Sequence, residues 1–354
     1  LEPVHVSQLE ELGWNQWFAG HLAALGDPSL TPGRVVADYG ALVGVEAGIG
    51  VTKRALGPAL RSTGKLVAVG DWVAIRPSGA RRVIAAVLER RTALTRKVPQ
   101  GESREQVLAA NVDTVLLTMA LGADFNARRL ERLLTVVYQS GAAPAVLLTK
   151  SDVFPAETAL QAVAASAPGV PVHVLSPLTG EGVPAVRQHL VPGSTAVLLG
   201  SSGAGKSTLL NRLLGRDTQV TRDVHRSGQG RHATSHRELF VIPDGGVVID
   251  TPGLREIQLW TGGEGLDQVF GDIEALVAQC RFSNCGHIGE PGCAIRAALS
   301  AGDLDPSRWA SYAKLRRELR AVEVRVDARM RAEERSRWKR IQRQARESMA
   351  AKGR

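Results

Sequence analysis

Eight residues, Gly200-Ser201-Ser202-Gly203-Ala204-Gly205-Lys206-Ser207, have the types and spacing of a phosphate-binding loop. Its glycines let backbone N–H groups turn inward onto phosphate oxygens. Lys206 reaches for the β- and γ-phosphates, and the Ser207 hydroxyl suits Mg²⁺. The loop follows an apolar run at 195–199 and opens a helical pattern over 206–214, with Thr208 in the first turn. A strand before and a helix N-terminus after are the context this chemistry needs, because the helix dipole favours an anion there.

Three further segments extend the site. Asp250-Thr251-Pro252-Gly253 follows the apolar 247–249. An aspartate at a strand end can hold Mg²⁺ through water, and the Gly253 N–H can donate to a γ-phosphate. Between the two lies Gly230-Arg231-His232-Ala233-Thr234-Ser235. Nucleotide switches place a hydroxyl here to complete the Mg²⁺ shell in the triphosphate state. Thr234 is the choice, with Ser235 as the alternative. Thr149-Lys150-Ser151-Asp152 would read the base. The Asp152 carboxylate can accept hydrogen bonds from N1–H and the exocyclic N2 of guanine. Adenine lacks that donor pair and would leave the acceptor unpaired. Lys150 can lie along the base plane, and Thr149 stands where asparagine is more usual. Ser176-Pro177-Leu178-Thr179-Gly180 follows another apolar run and can support the base from its backbone. An ordinary GTPase runs phosphate loop, switches, base reader. Here the base reader comes first, and no second copy follows Gly253.

The only cysteines are Cys280, Cys285 and Cys293, with His287 among them in the spacing C-x₄-C-x-H-x₅-C. Three thiolates and an imidazole close a tetrahedral shell, which suits one structural Zn²⁺ and leaves no position for catalytic water. An odd, clustered set of cysteines argues against a disulfide framework and for a reducing compartment.

These groups need elements to position them. Residues 1–32 hold a short amphipathic piece ending in turns. Residues 33–100 read as short strands with glycine punctuation, at 34–39, 41–47, 65–68, 71–76 and 83–89, which suggests a small barrel. Residues 105–262 alternate strands and helices. Strands are expected at 114–119, 145–148, 172–175, 195–199, 239–242 and 246–249, and helices at 127–139 and 206–214. That rhythm is a mostly parallel α/β sheet with crossover helices. Residues 263–354 are mostly helical around the cysteine cluster and end in a basic tail.

Of the 354 residues, 44 are Lys or Arg and 35 are Asp or Glu, a net charge of +9. Residues 311–354 alone hold 15 Lys or Arg and 6 Asp or Glu, matching the whole excess. A tail of that kind suits a polyanion, or else it is a solvated helix of mixed charge. No run of about 18 apolar residues occurs, so no membrane span is expected and a cytoplasmic location is the default. The chain opens Leu1-Glu2-Pro3, so a missing or processed N-terminus is expected.

Taken together, the permuted motif order, the barrel and the knuckle followed by Ala294-Ile295 resemble the bacterial ribosome small-subunit-dependent GTPase A family over roughly residues 33–320. The resemblance implies an N-terminal OB-fold, a central circularly permuted P-loop GTPase and a C-terminal zinc-binding domain. It implies GTP hydrolysis to GDP, stimulated by the small ribosomal subunit during its late maturation, with ribosomal RNA as partner. Oligomeric state is open, and nothing in the sequence suggests more than a monomer. It carries Gly200, Lys206, Ser207, Thr234, Asp250, Gly253, Lys150, Asp152 and the four zinc ligands onto the positions above. A permuted GTPase of the large subunit is the alternative, as is an RNA-binding module that keeps nucleotide as a structural ligand.

Many GTPases place a glutamine after the second switch to orient water. Leu254 and Arg255 stand here instead, so intrinsic hydrolysis should be slow. His232 would either position the attacking water or contact the subunit. RNA contact is expected from Lys53, Arg54, Arg61, Lys65, Arg81 and Arg82 of the barrel and from the tail. In that tail Trp338 would stack on a base or pack on a helix.

Overall fold

The structure, a computed structural model, describes residues 6–40, 42–48, 50–62, 66–78, 81–97, 105–216, 237–251 and 263–326. The chain divides into two compact units, Leu1–Arg96 with Gln106–Ile257, and Lys97–Glu105 with Gln258–Arg354.

The first unit opens with two short helices, Val6–Glu11 and Gln16–Ala23. Asn15 caps the second, its side chain accepting from the N–H groups of Trp17 and Phe18, as a short polar residue at this position should. Leu9, Leu12 and Phe18 are buried, and the Trp14 and Trp72 rings meet edge-on at 4.8 Å.

Five strands follow: β1 (Thr31–Asp38), β2 (Val43–Glu46), β3 (Val51–Arg54), β4 (Trp72–Ser78) and β5 (Arg81–Val87). Antiparallel pairing links β1 to β2, β2 to β3, β1 to β4 and β4 to β5. A bridge between Leu56 and Ile84 brings the end of β3 back to β5 and closes the barrel. The order is that of an OB-fold. Val35, Val43, Val45, Val73, Ile75 and Ile84 fill its interior, as the inward set of alternating strands does.

The expected strand at 65–68 does not form. Residues 66–68 lead into a turn, in which Asp71 accepts the Ala68 N–H at 2.8 Å and pairs with Arg90 at 2.7 Å. A buried carboxylate organises this stretch instead of a strand ladder.

After β6 (Ala93–Lys97) and β7 (Glu105–Ala110), a separate pair, come β8 (Thr114–Ala120), β9 (Ala143–Thr149), β10 (Val172–Val174), β11 (Thr195–Leu199), β12 (Glu238–Val241) and β13 (Val247–Asp250). The order β10-β9-β8-β11-β13 is parallel throughout, and β12 joins it antiparallel. Strands β8, β9 and β11 are near-continuous buried apolar runs, the pattern of parallel strands covered on both faces. The crossover helix Ala127–Ser140 begins at Asn126, which accepts the Arg129 N–H, and stops at the left-handed Gly141, the usual polar start and glycine stop.

Strand β1 serves both halves of this unit. Its first half pairs with β4, and beyond a bulge Ala37 pairs with Glu238 of β12. Arg34, fully buried at the change-over, donates to the Leu12 carbonyl and, at 2.7 Å, to Thr195 Oγ1. Burial holds its guanidinium down at about 10, with Asp113 and Asp71 opposing that shift.

The second unit contains the helices Glu264–Val269, Gly271–Val277, Ala294–Ala301 and Pro306–Val326. Phe270, Ile273, Ile295, Tyr312, Leu315 and Leu319 are buried among them. No helix among the described residues is long and apolar enough to cross a membrane.

Candidate nucleotide site and metal centre

Strand β11 delivers the phosphate loop at the carboxyl edge of the parallel sheet, where open α/β sheets place their ligands. A Cβ at Gly200 would collide with the Thr118 carbonyl of neighbouring β8, so only glycine lets the loop leave the sheet there. Gly205 has φ 89°, a left-handed turn that starts the helix Lys206–Leu213. Lys206 Nζ bends back over the loop and donates to the carbonyls of Gly200 at 2.8 Å and Ser201 at 2.7 Å. Burial lowers its basicity, with Asp250 opposing. Asp250, at the end of β13 beside Leu198, has its carboxyl raised by burial, with Lys206 opposing. A half-buried carboxylate and ammonium are thus each short of counter-charge, which fits a loop awaiting phosphates and a divalent cation. Ser202, Gly203 and Ser207 are exposed, Ser201 and Thr208 are half-buried, and Ala204 is buried.

The base-reading segment leaves the end of β9. Thr149 is placed differently from a base contact. It is fully buried, and its hydroxyl donates to the Ala204 carbonyl at 2.7 Å. It therefore ties the base-reading turn to the phosphate loop, a task for which a short hydroxyl suffices. Lys150 adopts φ 66° and pairs with Asp124 at 3.7 Å, and Asp152 is exposed in the turn that follows. Ser176 is buried, with its Oγ accepting the Thr179 N–H at 3.2 Å. Pro177 packs against the space beside Gly205. The structure thus brings 149–152, 176–180, 200–208 and Asp250 to one edge of the sheet. His232, Thr234, Ser235, Gly253, Leu254, Arg255 and Trp338 lie outside the described residues.

Two side chains that the sequence did not single out organise this edge. Arg212 donates to the carbonyls of Leu178 at 2.5 Å and Pro177 at 3.3 Å, holding the 176–180 turn against the loop's own helix. Asp124 supplies the partner of Lys150. Neither lies in a motif, and only the fold brings them near.

In the second unit, the donor atoms of Cys280, Cys285, His287 and Cys293 all lie within 4.8 Å of one another. His287 Nδ1 is 3.6 Å from Cys280 Sγ and 3.5 Å from Cys293 Sγ. His287 takes φ 59° to turn inward. Burial raises the Cys280 thiol, but N–H groups of Ala294 and Ile295 at the helix start outweigh this and leave it below its ordinary value. Cys285 is pushed up to about 11, by burial first and then by the neighbouring thiols. Three crowded thiols cannot all ionise without a cation, so the donor set fits a metal ion. Glu290 braces the turn, accepting the N–H groups of Gly286 at 2.8 Å and of Ile288 and Gly289 at 3.0 Å each.

The sequence pattern of the family described as RsgA GTPase matches residues 87–260. A small ribosomal subunit biogenesis GTPase RsgA of Opitutus terrae is 47% identical over 94% of this chain and 95% of its own length. The chain belongs to the RsgA GTPase family. A second RsgA, from Streptomyces coelicolor, is 44% identical over 94% of this chain and 93% of its own length. Among solved structures, YjeQ from Thermotoga maritima superposes with a TM-score of 0.59 at 25% identity, covering 82% of this chain and 98% of that one. YloQ, described as a circularly permuted GTPase, gives 0.58 at 24% identity over 82% and 96%, a likeness of fold. The RsgA assignment makes this chain a P-loop GTPase that uses GTP with Mg²⁺. Its permuted order is visible directly, since β8 and β9 with the base-reading turn precede β11 and the loop.

Proposed function

We propose that this RsgA-type GTPase binds the small ribosomal subunit and assists its late maturation, hydrolysing GTP faster when the subunit is present. Support for the nucleotide half comes chiefly from one observation, the Thr149 hydroxyl joined to Ala204. It joins the segment that would select guanine to the one that would cradle phosphates. The relatives' designation as small-subunit biogenesis GTPases supports the ribosomal half.

In this reading Gly200 through Ser207 cradle the phosphates, and Lys206 gives up its two carbonyl partners for phosphate oxygens. Ser207, Thr234 and Asp250 would hold Mg²⁺, which when bound neutralises charge on the β- and γ-phosphates. Asp152 selects guanine with Lys150 beside the base, and Thr149 and Ser176 hold those turns in place. Gly253 would sense the γ-phosphate. With Leu254 in the place of a water-orienting glutamine, intrinsic turnover is slow, and His232 positions the attacking water when the subunit is bound. Zinc is the ion that Cys280, Cys285, His287 and Cys293 favour, given three thiolates and one imidazole. On the barrel, Lys53 is exposed, with its Nζ 4.8 Å from the Tyr39 ring centroid, and suits an RNA contact. Arg54 and Arg61 are engaged with the carbonyls of Arg82 and Leu56. The side chains of Lys65 and Arg81 lie outside the described residues.

Phosphate release from GTP and from ATP, with and without purified small subunits, tests this reading. GTP-selective turnover that rises more than about ten-fold with subunits is expected. Equal use of ATP would refute the role of Asp152. Absence of stimulation would move the function towards an RNA-binding module with bound nucleotide.

A further inference from the structure

The first unit holds a cavity of about 250 Å³ at the amino edge of the parallel sheet, the edge opposite the phosphate loop. It is lined by Asp113, Ala143 and Thr195, where β8, β9 and β11 begin, and by Phe18, Arg34 and Trp72 from the N-terminal helices and the barrel. Two donors here have no acceptor in the protein. Arg34 and Trp72 are each 1% exposed, yet Nε of the first and Nε1 of the second are unpartnered among the described residues. The two side chains are neighbours, with the guanidinium carbon 5.3 Å from the Trp72 ring centroid. One acceptor group with two oxygens is of a size to serve both.

Charge and lining narrow the ligand. The other guanidinium nitrogens of Arg34 donate to neutral acceptors, the Leu12 carbonyl and the Thr195 hydroxyl. The nearby carboxylates are occupied elsewhere, Asp71 by Arg90 and Asp113 by the Thr195 N–H at 2.8 Å. A buried cation without a hydrogen-bonded counter-charge is costly. The charged residues lining the cavity are Arg34, Arg91 and Asp113, one net positive charge, with Arg91 and Asp113 exposed at its rim. A singly charged anion balances that charge, whereas a phosphate dianion exceeds it and meets Asp113. Asn111 and Thr92 are already satisfied by backbone groups. Phe18 and Val112, both buried, offer apolar surface to a carbon body. An arginine tied to two neutral acceptors is an ordinary strut. Two orphaned N–H groups lining one cavity are more than a strut requires.

We propose that this cavity binds the carboxylate of a small organic acid, with Arg34 Nε and Trp72 Nε1 donating to its oxygens and Phe18 and Val112 against its carbon body. The test titrates the full chain, its phosphate loop filled with GDP and Mg²⁺, with sodium benzoate. NMR follows the indole N–H signals, and Trp72→Phe identifies that of Trp72. The Trp72 signal should shift and saturate with a Kd on the order of 1 mM. Benzamide, the neutral isostere, should bind at least about ten-fold more weakly. Asp113→Asn keeps an acceptor for the Thr195 N–H and removes the rim charge, so it should tighten benzoate about three-fold. Arg91→Gln should weaken it by about as much. Inorganic phosphate should bind more weakly than benzoate. Absence of a saturable shift up to about 50 mM benzoate would mean that the cavity holds water alone. Equal binding of benzamide, or tighter binding of phosphate, would likewise overturn the carboxylate assignment.

Discussion

The candidate nucleotide site would draw its groups from four stretches, 149–152, 176–180, 200–208 and 250, whereas the cysteine knuckle has all its candidate ligands within 280–293. The first is assembled by a sheet. Strands β8, β9 and β11 of that sheet are buried apolar runs, and its loops are stitched together by Thr149, Arg212 and the Lys206 contacts. The second is assembled by local chain geometry, with a left-handed His287 and a carboxylate brace. Both keep charged or ionisable groups in uncomfortable surroundings, but the relief differs. At the loop, one half-buried cation and one half-buried anion already offset each other in part. At the knuckle, three thiols have only an imidazole between them. Removing a ligand should therefore leave the nucleotide site folded and the knuckle unfolded.

The largest expected effect tests that contrast directly. Cys293→Ser, or metal removal with a chelator, should melt the knuckle and the helix that Cys293 caps, because structural zinc contributes on the order of 10 kcal/mol in small metal domains. GTP binding by the first unit should survive. Circular dichroism paired with nucleotide titration reads both, and loss of GTP binding alongside the metal would show that the two sites are not independent.

An intermediate effect is expected at Asp250. Its raised carboxyl means the native state holds a proton more readily than the unfolded chain. Its stabilising contribution is thus present at low pH and lost as pH rises through its native value. At neutral pH the ionised group destabilises the nucleotide-free protein. Asp250→Asn should accordingly raise Tm without nucleotide while lowering turnover by at least about 100-fold. A lowered Tm would mean that the Lys206–Asp250 attraction outweighs the burial cost.

The smallest effect is that of Thr149→Val, which keeps the shape and deletes the donor to Ala204. Leaving that carbonyl unpaired should cost about 1–3 kcal/mol. Guanine nucleotide affinity, measured by calorimetry, should drop without loss of selectivity over adenine nucleotides. A loss of selectivity would give Thr149 a direct part in reading the base.

Much of this was legible in the residues. The strand Thr195–Leu199 could be read to the residue because parallel strands buried on both faces are written as apolar runs. The knuckle was legible because its ligands lie close in sequence. Strand β3 was missed, since Val51, Lys53 and their neighbours are largely exposed and carry no inward pattern. The stretch at 66–68 was misread because its turn depends on Arg90, more than twenty residues away. Arg34 gave no signal either. A charged residue in a strand reads as solvent-facing, and only the tertiary fold reveals the Leu12 carbonyl and Thr195 hydroxyl that bury it. Buried polar connectors are where patterns of hydrophobicity stop being informative.

Strand β1 divides one edge between β4 and β12, through Thr31–Arg34 on one side of the bulge and Ala37 on the other. The barrel is consequently not a detachable module. A fragment ending near residue 100 would leave the second half of that edge without its partner and deprive the buried Arg34 of the Thr195 hydroxyl to which it donates. Unpaired edges of this kind recruit other chains. Such a fragment should self-associate, and the bond that makes barrel and GTPase one body in the intact chain would become the seed of its aggregation.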